Sequence, residues 1–236
     1  AQIMSEIPLL DAQEQRVIGV LIEKSLATPQ YYPLTLNQVV TACNQKSNRD
    51  PVVSMMEDEV DAILSRLARR AMTTQVFVSG SRAGKWRQEL TSELELDGPS
   101  MAVLAELLLR GAQTVGELRT RASRMKAIAD MGELNRVLEG LAQHQPPLAR
   151  RLTPPGIQRG VRWGHLLQSD ERIKSMSEFE QEDLDPVAGT TPVPRVERGS
   201  VASVPENQSL ATTVKNLELR INELAARIDD LEKRSS

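Results

Sequence analysis

One cysteine, two histidines and 3% aromatic residues limit what this 236-residue chain can be. Cys43 alone makes no internal disulfide, which fits a reducing compartment. His144 and His165 stand far apart and near no second thiol, so no Cys/His metal cage is expected. Hydrophobic residues reach 40% with almost no aromatics, so the cores are aliphatic and helical. No apolar run approaches the roughly 20 residues of a membrane-spanning helix. The stretch from Ala1 to Pro8 lacks the basic start and long apolar run of a secretory leader. The expectation is a cytoplasmic protein without a membrane partner. No histidine lies close in sequence to a nucleophile, and no catalytic signature appears, so the chain reads as a non-enzyme with no cofactor.

What is present is uneven. The formal charge is -3 overall, but residues 97–168 hold 10 Lys/Arg against 6 Asp/Glu, whereas residues 169–236 hold 9 against 14. A basic middle with acidic flanks bears on partners.

The first 168 residues read as one unit written twice. Asp11 with Glu14 opens a first helix, whose apolar residues Val17, Ile18, Leu21 and Ile22 recur as Val103, Leu104, Leu107 and Leu108. In the second copy Pro99 starts this helix and Gly111 stops it. Capping boxes Thr35/Gln38 and Thr114/Glu117 open the second helices, with stripes Leu36, Val39, Cys43 and Val115, Leu118, Ala122. Ser54 with Glu57, and Asp130 with Glu133, open the third helices. Val60, Ile63, Leu64, Leu67 share the spacing of Leu134, Val137, Leu138, Leu141. Each trio is followed by a hairpin signal: 74–79 and 85–90 around a Gly80–Gly84 turn, then 148–153 and 161–166 around Pro154-Pro155-Gly156. Trp86 and Trp163 hold equivalent places on the return strands. Three helices and a hairpin give the order of a winged helix. The fold class is thus mainly α with small β-hairpins (α+β), in two tandem winged-helix domains with separate cores. A three-helix bundle with an incidental hairpin is the rival.

Three runs carry a family resemblance: Leu10 through Lys24 (LDAQEQRVIGVLIEK), Pro29 through Asn37 (PQYYPLTLN) and Cys43 through Pro51 (CNQKSNRDP). They resemble the YceH-like bacterial proteins over about residues 10–168, and more weakly through the tail. The resemblance implies a tandem winged-helix fold in a bacterial cytoplasm. It implies no established activity and supplies no functional residues.

After the domains, read as 1–96 and 97–175, composition changes. Residues 176–208 open with Glu178, Glu180, Glu182, Asp183 and Asp185 and continue with scattered prolines, a flexible linker by composition. Residues 209–234 carry a heptad: Leu210, Leu217, Leu224 and Leu231 at d, Val214, Ile221 and Ile228 at a, the combination of a parallel homodimeric coiled coil. An amphipathic helix packed on its own domain is the alternative.

The remaining motifs are weighed by spacing. Gly80 to Lys85 is one residue short of a phosphate loop and reads as a hairpin turn. Glu57, Asp58, Glu59 and Asp61 lie in a first helical turn, where negative charge is favourable without a metal. Cys43 sits on an apolar stripe. For double-stranded DNA the candidate contacts are Arg119, Arg121, Arg124, Lys126, Asn135, Arg136, Arg159 and Arg162 in repeat two, and Lys46, Arg49, Arg82 and Lys85 in repeat one. The acidic third helix makes repeat one a poor groove reader. The expectation is a dimeric DNA-binding, regulatory protein working mainly through repeat two. Another protein as partner, with the repeats as docking surfaces and no DNA contact, is the alternative.

Overall fold

The structure is a computed structural model that describes residues 9–77 and 83–168. The tail residues read above as linker and coiled coil, Arg82 and most of the first turn lie outside the described residues. The described chain runs α1 (Ala12–Ala27), β1 (Leu34–Thr35), α2 (Leu36–Cys43), α3 (Glu57–Arg69), β2 (Thr73–Val76), β3 (Lys85–Gln88), α4 (Leu90–Glu93), α5 (Gly98–Arg110), β4 (Gln113–Thr114), α6 (Val115–Ala122), α7 (Met131–Gln143), β5 (Ala149–Arg151) and β6 (Arg162–His165). It is a mixed α and β fold in which helix–strand–helix–helix–hairpin occurs twice.

The helix starts follow their caps. Asp11 Oδ1 accepts from the backbone of Gln13 at 2.9 Å and Glu14 at 2.8 Å, and Glu14 accepts in return from Asp11 N–H at 3.0 Å. Thr35 and Gln38 close a box around α2, as Thr114 and Glu117 do around α6. Gly111, at φ 73°, ends α5 in a backbone region that glycine occupies without a Cβ penalty. The start of α3 differs from the sequence reading: it begins at Glu57, not near Ser54. The Asn44 side chain takes both Met55 backbone groups, at 2.8 and 2.9 Å, and keeps that stretch out of the helix. Glu59 then caps by accepting from Met56 N–H at 2.7 Å.

Each hairpin gains a third strand that the sequence pattern did not show. The sheets are ordered β1-β3-β2 and β4-β6-β5, all antiparallel. Trp86 faces Leu34 on β1, and Trp163 faces Gln113 on β4, so the two tryptophans do sit at equivalent places.

The expectation of two separate cores is corrected. One continuous aliphatic core runs through both repeats, because α1 and α5 pack on each other. From Glu14 to Ile22 every residue of α1 is buried, and so is every residue of α5 from Ala102 to Leu109. Gly19 makes the close approach: a Cβ there would lie 2.9 Å from Leu109 Cγ. The chain ends of this unit are also tied, Leu10 N–H donating to the Leu167 carbonyl at 3.1 Å. A helix apolar all round needs neighbours all round, and neither repeat alone supplies them.

Candidate nucleic-acid interface

In repeat one the polar loop between α2 and α3 is occupied by the fold. Arg49 is turned inward: its guanidinium pairs with Glu23 at 2.6 Å and donates to the Ala42 and Asn48 carbonyls and to Gln45. Its side chain is 0% exposed, so the reading of Arg49 as a DNA contact is overturned. A charged group surrounded by this many acceptors is committed to the interior. The same loop docks on repeat two: Arg110 donates to Asn48 Oδ1 at 2.6 Å, and Asp50 N–H donates to the Leu109 carbonyl at 3.0 Å. Arg16, also buried, donates to the carbonyls of Cys43 and Pro51. The family-like run from Cys43 to Pro51 is therefore a clasp between repeats. Lys46 stays exposed beside it and Lys85 is half-buried on β3.

Burial pushes the Cys43 thiol up to about 12, which disfavours its thiolate form. Burial likewise raises Glu106 despite nearby Arg110. For Glu14 burial acts upward, but hydrogen bonds from Arg66 and Asp11 N–H and the charge of Arg70 outweigh it and hold the carboxyl below its usual range.

The α3 helix shows what sequence suggested. Glu57, Asp58, Glu59 and Asp61 are all exposed, as are Val52 and Met56 before them in the chain. Its cations are partly spent: Arg66 pairs with Asp11 at 2.7 Å and Glu14 at 2.8 Å, and Arg70 with Glu14.

Repeat two is arranged the other way. Arg119, Arg124 and Lys126 are exposed on and after α6, Arg136 on α7, and Arg159 in the β5–β6 turn. Among the described residues, Arg124, Lys126, Arg136 and Arg159 make no ion pair. Arg119 donates to the Ala129 carbonyl at 3.1 Å. Two nominated arginines are held by the fold instead. Arg121 donates to Gln113 Oε1 at 2.6 Å and pairs with Glu117 at 3.1 Å; Arg162 donates to the Ala112 carbonyl at 2.8 Å. Backbone and hydroxyl hydrogen bonds from Thr114 lower the Glu117 carboxyl, with help from Arg121.

Asn135 lies on the exposed face of α7 and lines a cleft of about 620 Å³ between α7, the start of α6 and the hairpin. Val115, Met131, Trp163, Arg151 and Glu139 share that lining. Sequence reasoning notes Arg151 as a basic residue before the second hairpin turn but misses the cleft it lines; the strand pairing of β4 with β6, invisible as periodicity, brings Val115 and Trp163 together. Among the described residues no cluster of His, Cys, Asp and Glu is placed to hold a metal, and no helix is long and apolar enough to cross a membrane.

Comparison with known proteins agrees with the runs quoted above. Residues 10–156 match the family model described as "Protein of unknown function, DUF480". A UPF0502 protein of Geobacter sulfurreducens is 48% identical over 167 residues, 71% of this chain and 76% of that protein. A UPF0502 protein of Klebsiella pneumoniae is 42% identical over 228 residues, covering 94% of this chain and 95% of its own length. UPF0502 protein YceH of Escherichia fergusonii is 40% identical with the same coverage. These bacterial relatives carry no enzymatic name, and the Klebsiella and Escherichia alignments cover most of the chain. The chain belongs to the DUF480, or UPF0502, family.

Proposed function

We propose that each repeat is a winged helix and that the chain is a non-enzymatic, dimeric protein that binds double-stranded DNA through repeat two, in a regulatory role. The three-helix order and the sheet order β1-β3-β2, repeated as β4-β6-β5, support the winged-helix reading. The observation that carries the DNA reading is the outward set Arg124, Lys126, Arg136 and Arg159, facing no counter-ion among the described residues. Lys and Arg placed this way release condensed counter-ions when they meet phosphates. Asn135 and Arg136, exposed in the first half of α7, are of the residue types that read adenine and guanine edges. The heptad from Leu210 to Leu231 supports a parallel homodimer, which would present two copies of repeat two. The composition supports a cytoplasmic setting.

The test is anisotropy of a labelled duplex titrated with the full chain at several salt concentrations. Binding that weakens linearly in log salt is expected; no binding at low salt removes the reading. A second reading rests on a different observation: the segment from Val52 to Asp61 exposes Val52, Met56 and four carboxylates, a chemistry suited to a basic protein partner. Its mark is a stoichiometric partner, captured after nuclease treatment and lost on Met56→Asp.

A further inference from the structure

The cleft of repeat two mixes two chemistries. Val115, Met131 and Trp163 give it an apolar lining, with Met131 42% exposed. Arg151 lies in its wall, where its guanidinium donates to the Pro154 and Ile157 carbonyls of the hairpin turn, and exposed Arg136 and Arg159 are chain neighbours of the lining residues Asn135, Gln158 and Gly160. One carboxylate, Glu139, also lines it. Such a surface suits a short extended segment that offers carboxylates with apolar side chains between them.

The chain itself contains that segment. From Glu178 to Asp185 the sequence reads EFEQEDLD, five carboxylates and no cation, with Phe179 and Leu184 near its ends. It begins ten residues beyond Gln168, where the described fold stops. Ten residues reach about 33–36 Å when extended, and the cleft-lining Trp163 lies only five residues before Gln168, well within that reach. A tether that short delivers its end at an effective concentration on the order of millimolar, so even a contact of millimolar affinity is about half occupied. The charges agree, since residues 97–168 hold 10 Lys/Arg against 6 Asp/Glu.

We propose that the segment Glu178–Asp185 docks in the repeat-two cleft, its carboxylates against Arg151, Arg136 and Arg159 and an apolar side chain over Met131 and Trp163. The docked segment competes with DNA for the same cations, a consequence that rests on the DNA reading above; the docking itself does not.

Trp163 reports the docking directly, because the other tryptophan, Trp86, is only 5% exposed. The experiment is acrylamide quenching of the full chain carrying Trp86→Phe, compared with the same chain bearing E178Q, E180Q, E182Q, D183N and D185N. At low salt the neutralised chain is expected to quench about twice as fast, and about 0.5 M salt is expected to bring the native-tailed chain to the same rate by screening. Duplex affinity should rise about twofold in the neutralised chain, the gain expected when a site that is about half occluded is freed. If Trp86→Phe lowers stability, the pair with both tryptophans gives the same difference, since the buried ring adds a constant. Equal quenching in the two chains overturns the docking. A quenching difference with no duplex binding in either chain upholds the docking and removes the DNA reading instead.

Discussion

The two repeats share caps, stripes and hairpin register, yet they use the loop between their second and third helices in opposite ways. In repeat one that loop points inward. Arg49 is enclosed by Glu23 and backbone carbonyls, and Asn48 and Asp50 bind the end of α5. In repeat two the loop carries Arg124 and Lys126 on its outside. The third helices differ in the same sense, with four exposed carboxylates opening α3 and Asn135 and Arg136 exposed on α7. A duplication lets one copy become scaffold while the other keeps a charged surface. The comparison also shows that a basic residue in a loop is not a phosphate contact until its acceptors have been counted.

The widest separation between repeats should appear in stability. Arg49→Ala leaves Glu23 without its buried partner, and breaking such a pair costs about 3–5 kcal/mol. Arg124→Ala, on an exposed side chain of the matching loop, should stay within about 0.5 kcal/mol. Urea unfolding of the two variants reads the contrast, and equal midpoints would break it.

The joint between repeats comes next. Gly19→Leu puts a side chain where Leu108 and Leu109 already pack and should cost about 1–3 kcal/mol by overpacking, read in the same assay. Loss of the second half's structure together with the first, in one transition, is expected of a continuous core.

Glu14 gives a pH-dependent difference. Its folded carboxyl sits below the unfolded value, so its ionised form stabilises the fold above the usual carboxylate range. That contribution fades as pH falls through the lowered folded value. Glu14→Gln should therefore cost about 1–3 kcal/mol at neutral pH, and its difference from wild type should shrink in acid. A difference constant from neutral pH to pH 3 would contradict this account of the Asp11–Glu14–Arg66–Arg70 cluster.

The smallest effect concerns α3. Replacing Glu57, Asp58, Glu59 and Asp61 with their amides should tighten duplex binding only about two- to fivefold. The effect should show at low salt, where charges act over tens of ångströms, and vanish at high salt. A large or salt-independent gain would mean that repeat one itself meets the duplex.

Much of this arrangement is readable in the residues. Asp11, Thr35, Thr114 and Asp130 announce their helices because capping chemistry is local. The stripes Val60–Leu67 and Leu134–Leu141 announce buried faces because helical periodicity is local too. Three features were not read from the sequence. Strands of two residues, β1 and β4, have no period to detect. The fused core does have a sequence signal: Val17 to Ile22 and Ala102 to Leu109 are almost uninterrupted apolar runs, more than a single face of one small domain requires. The fate of Arg49 could not be read from its own loop, because its partner Glu23 lies on another helix. Charge clusters identify a surface only when long-range pairing leaves them outside.

The most direct measurement is a pair of salt titrations against one duplex. In one variant Arg124, Lys126, Arg136 and Arg159 become alanine; in the other, the exposed Lys46 and the half-buried Lys85 of repeat one do. The repeat-two variant is predicted to lose about 100-fold in affinity near 0.1 M salt, and its log–log slope should fall by about 3–4 at roughly 0.9 per phosphate contact. The repeat-one variant should keep the wild-type slope. Equal losses in both variants, or a slope that falls only in the repeat-one variant, would contradict the assignment of DNA binding to repeat two.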